Sequence, residues 1–233
     1  MTTARHCHVG RGALATKRAI DLAVAAVGLV VLSPLLLAIA GVALIIQGRP
    51  ILFRQRRAGL GGQPFTILKF RTMRPARADE ISFHADAQRL TRVGGFLRAT
   101  SLDELPELWN VLLGDMSVVG PRPLLFGYLD HYTPEEARRH DVRPGMTGWA
   151  VVHGRHTIPF EERLRLDVWY VDNWSVSLDL RIIAVTVLQV LGRRGVATVQ
   201  RRDEIRIPDR FWYGAADRVA EPDTPPGTEQ DRA

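Results

Sequence analysis

The residues best suited to chemistry are two adjacent carboxylates, Asp103 and Glu104, and the basic residues able to converge on them: Lys69, Arg71, Arg98 and Arg122. Arg122 lies in Gly120-Pro121-Arg122-Pro123, a rigid turn that displays its side chain. A guanidinium matches phosphate oxygens with two parallel hydrogen bonds. Adjacent carboxylates can hold Mg2+, which takes one or two carboxylates and completes its shell with substrate phosphates and water. A carboxylate, a divalent metal and several cations form a phosphoryl-transfer set. A blander reading competes, because Ser101-Leu102-Asp103-Glu104 has the form of a capping box in which Ser101 caps a helix and Glu104 reaches back. Taken alone, the four residues favour that simpler explanation. On both readings a helix is predicted over Ser101 to Leu113, with Asp103 in its first turn, where backbone N–H groups and the helix dipole favour phosphate.

Other elements must bring the cations to this pair. Ile51 to Phe53 and Phe65 to Phe70 read as strands, with Gly59, Gly61 and Gly62 turning between them; the second carries Lys69. Arg74 to Arg92 is polar and gives no definite element. Thr133-Pro134-Glu135-Glu136 is a helix start, with Thr133 as cap and proline at the first helical position. Phe160 to Trp174 has Leu164, Val168 and Val171 at helical spacing, with Trp169 and Tyr170 beside them. Leu178 to Leu191 is apolar but too short to span a bilayer, is interrupted by Thr186 and Gln189, and is followed by Arg193 and Arg194; core helix and interface-lying helix both fit. From Glu221 onward the chain is rich in Pro, Asp and Glu, the composition of a disordered tail.

Leu22 to Ile46 contains no charged residue. At about 1.5 Å per residue it is long enough to cross a hydrocarbon core of about 30 Å. A cleaved leader, with Lys17-Arg18 as its basic region and Ala38-Ile39-Ala40 as its cleavage site, fits poorly because the apolar run continues past that site. A plain spanning anchor conflicts with the flanks. Arg5, Arg11, Lys17 and Arg18 precede the run, and Arg49, Arg54, Arg56 and Arg57 follow it, whereas basic residues belong on one side only. Ser33-Pro34 at the midpoint offers a third reading. Proline kinks the helix, the Ser33 hydroxyl can bond a freed carbonyl, and the segment dips into the membrane and returns. The residues leave the kinked spanning helix and the re-entrant hairpin evenly matched.

Composition sets the outer bounds. A chain of 233 residues with 46% hydrophobic and 24% charged residues supports one ordinary domain with short appendages. A single cysteine, Cys7, rules out a disulfide framework and is consistent with a reducing compartment. The net charge of +6, from 31 Lys+Arg against 25 Asp+Glu, suits nucleic acid, an anionic membrane surface or a phosphorylated substrate.

Several stretches in order carry a resemblance: Lys17-Arg18 with Asp21, Ser33-Pro34, Pro50 to Gln55, Lys69-Phe70-Arg71-Thr72-Met73, Ser101 to Pro123, Arg143-Pro144-Gly145 through Trp149, and Asp167 through Leu180. Each is weak alone, but together they are specific. The sequence resembles the bacterial sugar transferase family, the monotopic polyprenyl-phosphate phosphoglycosyl transferases, in what looks like its minimal form. The resemblance implies an α+β, mostly helical fold. A re-entrant membrane helix-break-helix over residues 17–49 follows a basic tail (1–16) and precedes a compact cytoplasmic catalytic domain (50–215) with a small β-hairpin and interface-lying helices; residues 216–233 form the tail. It implies transfer of a sugar-1-phosphate from a nucleotide diphosphate sugar, a UDP-sugar by family expectation, to polyprenyl (undecaprenyl) phosphate. The setting is the cytoplasmic face of the bacterial inner membrane, in exopolysaccharide, O-antigen, capsule or glycoprotein glycan synthesis.

The resemblance also assigns roles. Asp103 attacks the β-phosphate and carries a covalent phosphosugar. Glu104 assists with Asp103 through Mg2+. Lys69, Arg71, Arg98 and Arg122 neutralise phosphate, while Lys17, Arg18, Ser33 and Pro34 anchor and kink the membrane segment. Arg143, Gly145, Trp149 and Arg155 are candidates for nucleotide-sugar contact. Val151, His153, His156 and Phe160 stand where the family has a Gln, two Asn and a Trp, which weakens that last assignment. His153 and His156 give only a faint metal signal. The expected partners are the nucleotide sugar, polyprenyl phosphate and membrane lipid, with a second copy of the chain as a further candidate and no nucleic acid. Two other classes remain: a basic nucleic-acid-binding protein or nuclease, for which Leu22 to Ile46 has no purpose, and a non-catalytic membrane scaffold, against which the intact Asp103-Glu104 and Arg122 argue.

Overall fold

A computed structural model describes residues 10–75, 89–154 and 158–192. It is mostly helical with a small antiparallel strand pair, as the sequence implies. Helices α1 (Arg11–Val31) and α2 (Ser33–Gln47) come first and meet at a bend of 61°. The cause is local. Pro34 has no N–H to give to the Val30 carbonyl, and the Ser33 hydroxyl donates to that oxygen instead, at 2.8 Å. Neither helix alone is long and apolar enough to cross a membrane, but the bent pair meets that length and composition together.

Strand β1 (Leu52–Ala58) pairs antiparallel with β2 (Pro64–Phe70), in register from Leu52↔Phe70 to Ala58↔Pro64. Gly61 and Gly62 turn the chain between them with φ of 61° and 73°, the left-handed region that glycine enters freely. The strands run further than their apolar residues announce, because β1 continues through Arg54, Gln55, Arg56 and Arg57. Helix α3 (Arg92–Ala99) starts at Thr91, whose hydroxyl accepts from the Gly94 N–H at 2.9 Å.

The single helix expected over Ser101–Leu113 is not what forms. A 3-10 turn over Leu102–Glu104 precedes α4 (Glu107–Leu113), because Pro106 lacks the N–H that would bond back to Leu102 and carry one helix through. Ser101 has φ 56° and its side chain caps nothing, so the capping-box reading fails. The helix start expected at Thr133, in contrast, forms as the short helix α5 (Pro134–Ala137), and Thr133 and Glu136 bond reciprocally in a capping box.

Strand β3 (Ser117–Val119) runs parallel to β4 (Gly145–Thr147). Helices α6 (Trp149–Val152), α7 (Phe160–Asn173) and α8 (Val176–Leu191) complete the domain. The largest core cluster gathers Leu108 and Val111 of α4, Met116 and Val119 around β3, Tyr170 and Trp174 at the end of α7, and Ile182 of α8. Helix α8 therefore packs one face on the core through Ile182, while Leu180 and Leu188 remain exposed.

Both ends of the bent pair are tied to this domain. Lys17 pairs with buried Asp179 at 2.6 Å and donates to the Val119 carbonyl at 2.9 Å. Arg18 donates to the carbonyls of Val111 and Leu112 at 2.7 and 3.0 Å. Asp21, buried, accepts from the Ser117 hydroxyl and the Val118 N–H, each at 2.9 Å. At the other end, Arg71 donates to the last carbonyls of α2, at Gln47 and Gly48, and to that of Arg49.

Candidate active site

Three elements converge on the carboxylate pair. Strand β2 delivers Lys69, α3 delivers Arg98, and the turn after β3 delivers Arg122. The turn is shaped by close backbone approach: a side chain at Gly145 would put its Cβ 2.0 Å from the Gly120 nitrogen, and the Gly145 N–H donates to the Pro121 carbonyl at 2.9 Å. Helix α3 is equally close, since a Cβ at Gly94 would lie 1.9 Å from the Thr72 carbonyl oxygen. That contact holds α3 on the end of β2 and lets the Arg98 Nε donate to the Thr72 hydroxyl at 2.9 Å.

Within this frame the Glu104 Oε1 receives both Lys69, at 2.8 Å, and the Nη2 of Arg122. Asp103 is 8% exposed. Burial raises its pKa and Glu104 raises it further, while Lys69, Arg98 and Arg122 pull it back. The three cations thus favour the ionised form of Asp103 against the larger effect of burial. Glu104 in turn holds Arg122 firmly protonated.

The structure brings together Asp103, Glu104, Lys69, Arg98 and Arg122, and it places the other expected site residues elsewhere. Arg71 is buried against the C-terminal carbonyls of α2 rather than facing the carboxylates, a position that suits a cation at the negative end of a helix dipole. Lys17 and Arg18 point into the domain rather than to lipid. The Arg143 Nε donates to the Gly114 carbonyl at 2.8 Å, closing the end of α4. Trp149 stacks on Trp169 with ring centroids 4.7 Å apart. His153 bonds the Trp149 carbonyl through Nδ1 at 2.8 Å. Arg155 and His156 lie outside the described residues.

Four residues at or behind the site escape a reading of the sequence. Glu107, 1% exposed, lies 2.9 Å from the Lys69 Nζ that also bonds Glu104. The contact is an ion pair without an aligned hydrogen bond, since the Glu107 Oε1 receives no well-directed donor among the described residues. Burial, the largest cause, pushes its pKa up to about 7, against the pull of Lys69 and with the push of Glu104. Arg139 and Asp167 form a buried pair at 2.7 Å, and the Arg139 Nη2 donates to the Arg122 carbonyl at 2.6 Å, fixing the backbone of the arginine turn. Arg57, half-buried and donating to the Pro123 carbonyl of that turn at 3.4 Å, has its pKa pushed down to about 10 by desolvation and then by Arg122. Asp167 is visible in the sequence only as part of a longer matching stretch; Glu107 looks like an ordinary helix residue.

Two carboxylates, one of them buried, inside a ring of three cations have the residue types of a site that handles phosphate esters. The chain belongs to the bacterial sugar transferase family, whose model matches residues 12–193. It is 49% identical over 180 residues to the sugar transferase EpsL of Bacillus subtilis (strain 168), covering 77% of this chain and 89% of that protein. It is 44% identical over 186 residues to the UDP-glucose:undecaprenyl-phosphate glucose-1-phosphate transferase of Xanthomonas campestris pv. campestris, covering 75% of this chain and 38% of that one. A protein of the same name from Caulobacter vibrioides is 44% identical over 185 residues, with 75% and 69% covered. The chain thus spans nearly all of the Bacillus relative but well under half of the Xanthomonas one.

Proposed function

We propose that this chain transfers a sugar-1-phosphate from a nucleoside diphosphate sugar, a UDP-sugar by the names of its relatives, to a polyprenyl phosphate such as undecaprenyl phosphate. The carrying observation is the enclosure of Asp103 and Glu104 by Lys69, Arg98 and Arg122. Asp103 attacks the β-phosphorus of the donor. The bond from that phosphorus to the bridging oxygen breaks, and its electron pair leaves with the nucleoside monophosphate. The product is a phosphosugar joined to the Asp103 carboxylate, one hard step divided into two. An oxygen of the polyprenyl phosphate then attacks the same phosphorus, and Asp103 leaves as a carboxylate. Burial strips water from the nucleophile, while the three cations favour its ionised form and neutralise the diphosphate.

Asp103 and Glu104 would hold Mg2+. The described residues contain no group of three acidic, histidine or cysteine side chains able to cage a metal, and a pair suits an ion whose shell is completed by substrate phosphates. Once bound, the ion supplies further charge neutralisation at the diphosphate.

The bent helix pair is read as re-entrant. Lys17 at its start and the Gln47–Arg49 carbonyls at its end are tied to one domain, which supports both ends lying on one face of the membrane, taken here as the cytoplasmic one. Val30, Leu37 and Ile45 are 73%, 73% and 85% exposed and would meet acyl chains. Relatives named for exopolysaccharide production and for galactose–lipid carrier transfer support a role in polysaccharide synthesis and leave the sugar open.

Incubation with donor alone tests the reading. A stoichiometric burst of nucleoside monophosphate and a phosphosugar adduct mapping to Asp103 are expected, and Asp103→Asn should lose both. An active, folded Asp103→Asn enzyme would refute it.

A further inference from the structure

Behind Arg122, between α6 and α7, lies a cavity of about 30 Å3 lined by Arg122, Arg139, Arg163, Asp167, Val151 and Phe160, among others. Its charge is unbalanced. Arg122 is committed to Glu104, and Asp167 to Arg139, which donates to it from Nε at 3.2 Å and from Nη2 at 2.7 Å. Arg163 is the residue left over. Its guanidinium lies 5.1 Å from the centre of the Phe160 ring. Its Nε is buried and finds no acceptor among the described residues. Burial lowers its pKa, and both Arg122 and Arg139 lower it further against the pull of Asp167. A buried donor without an acceptor is costly, and a cationic cavity beside a phosphate-handling arginine is a site that an anion would complete.

The size restricts the occupant. At about 10–15 Å3 per water-sized group, the cavity admits an oxyanion head but neither a sugar ring nor a base. Its place restricts the occupant further, since Arg122 belongs both to the cavity and to the ring around Asp103. An anion seated on Arg163 and Arg122 is therefore next to the phosphorus under attack. We infer that this cavity receives the leaving phosphate: Arg163 binds the α-phosphate of the donor and then the nucleoside monophosphate on which the electron pair of the broken phosphorus–oxygen bond settles. This rests on the reading of Asp103 as nucleophile. It gives Arg163 a task in both steps, because the acceptor phosphate must approach the phosphorus opposite Asp103, through the position that the nucleotide phosphate vacates.

The test uses the full-length protein in detergent micelles, with UMP, uridine and glucose 1-phosphate as competitors of the donor-only burst. Arg163→Gln should weaken inhibition by UMP about tenfold or more, the scale of a lost charge-assisted hydrogen bond, and raise the donor KM similarly. Inhibition by uridine, which has no phosphate, should be unaffected. Once the enzyme is pre-labelled by saturating donor, transfer to polyprenyl phosphate should slow as well, because the acceptor phosphate enters by the same position. Arg163→Lys should retain part of the UMP affinity. Val151→Glu, which brings a carboxylate to the cavity from α6, should mimic Arg163→Gln without touching the arginine. Unchanged UMP inhibition in both Arg163→Gln and Val151→Glu overturns the inference, as does a loss confined to glucose 1-phosphate, which would give the cavity to the sugar phosphate. If the wild-type enzyme gives no burst at all, the nucleophile reading fails instead.

Discussion

Glu107→Gln should make the protein more stable above neutral pH while leaving it unchanged in acid. Glu107 is 1% exposed, and its pKa rises from an ordinary 4.5 to about 7, chiefly through burial. Below about pH 4.5 the carboxyl is protonated in both folded and unfolded chains, and its contribution is fully present. Between that value and about 7 the unfolded chain releases the proton while the folded chain keeps it, so stability falls as pH rises. Above 7 the loss levels off. Each tenfold change in proton affinity is worth about 1.4 kcal/mol, so a rise from 4.5 to about 7 costs about 3 kcal/mol. Glutamine has nearly the shape of the protonated acid and escapes this penalty. For a chain of this size each kcal/mol corresponds to about 2–4 °C in Tm, so the variant should melt about 6–12 °C above wild type at pH 8.5 and within a degree or two of it at pH 4.5. Thermal melts across that range, both proteins in the same detergent, provide the measurement. A Tm difference that does not change with pH would refute the burial argument. A variant less stable than wild type at pH 8.5 would mean that the Lys69–Glu107 ion pair outweighs desolvation.

Arg122→Lys keeps the charge but loses the fork that reaches Glu104 and phosphate together, so kcat/KM at subsaturating donor should fall by about tenfold or more; wild-type turnover would remove Arg122 from the site. Ser101→Ala should change stability by less than about 0.5 kcal/mol in chemical denaturation, because the Ser101 side chain caps nothing, whereas loss of a true cap costs about 0.5–2 kcal/mol. The donor-only labelling rate should rise with pH along an acid limb lying above the ordinary carboxylate range, since burial and Glu104 raise the Asp103 pKa; a limb at the ordinary value would contradict that environment. On a Cys7-free background, cysteines placed before Lys17 and after Arg49 should both resist an impermeant thiol reagent added to intact cells, and labelling of the first alone would show a spanning helix.

What the sequence makes legible is local. Pro34 and Ser33 announce the bend and the hydroxyl that satisfies it, and Thr133-Pro134 announces a helix start with Thr133 as its cap, which forms. The misreadings also have local causes. Ser101 to Glu104 matches the capping pattern, but Pro106 three residues after Asp103 divides the helix and frees Glu104 for Lys69 and Arg122. Helix α3 is hidden by Gly94 and Gly95, poor helix formers; Gly94 is required because the Thr72 carbonyl leaves no room for a Cβ. The remaining misses are long-range. Arg139 with Asp167, Lys17 with Asp179 and Glu107 with Lys69 join distant parts of the chain, and no periodicity reports such pairs. Lys17 and Arg18 stand beside an apolar run, where lipid is the obvious partner, but Asp179 and the carbonyls of Val111 and Leu112 take them first.

Those ties connect the bent helix pair to the candidate site. Lys17 and Asp21 hold β3 at Val119, Ser117 and Val118, and β3 runs directly into the turn that carries Arg122. Arg71 holds the end of α2 and lies two residues from Lys69 on the same strand exit. The two cations that meet on Glu104 are therefore each set by one end of the bent helix pair. Moving either end would shift one cation relative to the other and open the shared contact at Glu104 Oε1. On the proposed reading, in which the acceptor is a polyprenyl phosphate, this arrangement makes the seating of the helices part of the assembly of the site, so that correct docking and a closed cationic ring become one structural condition.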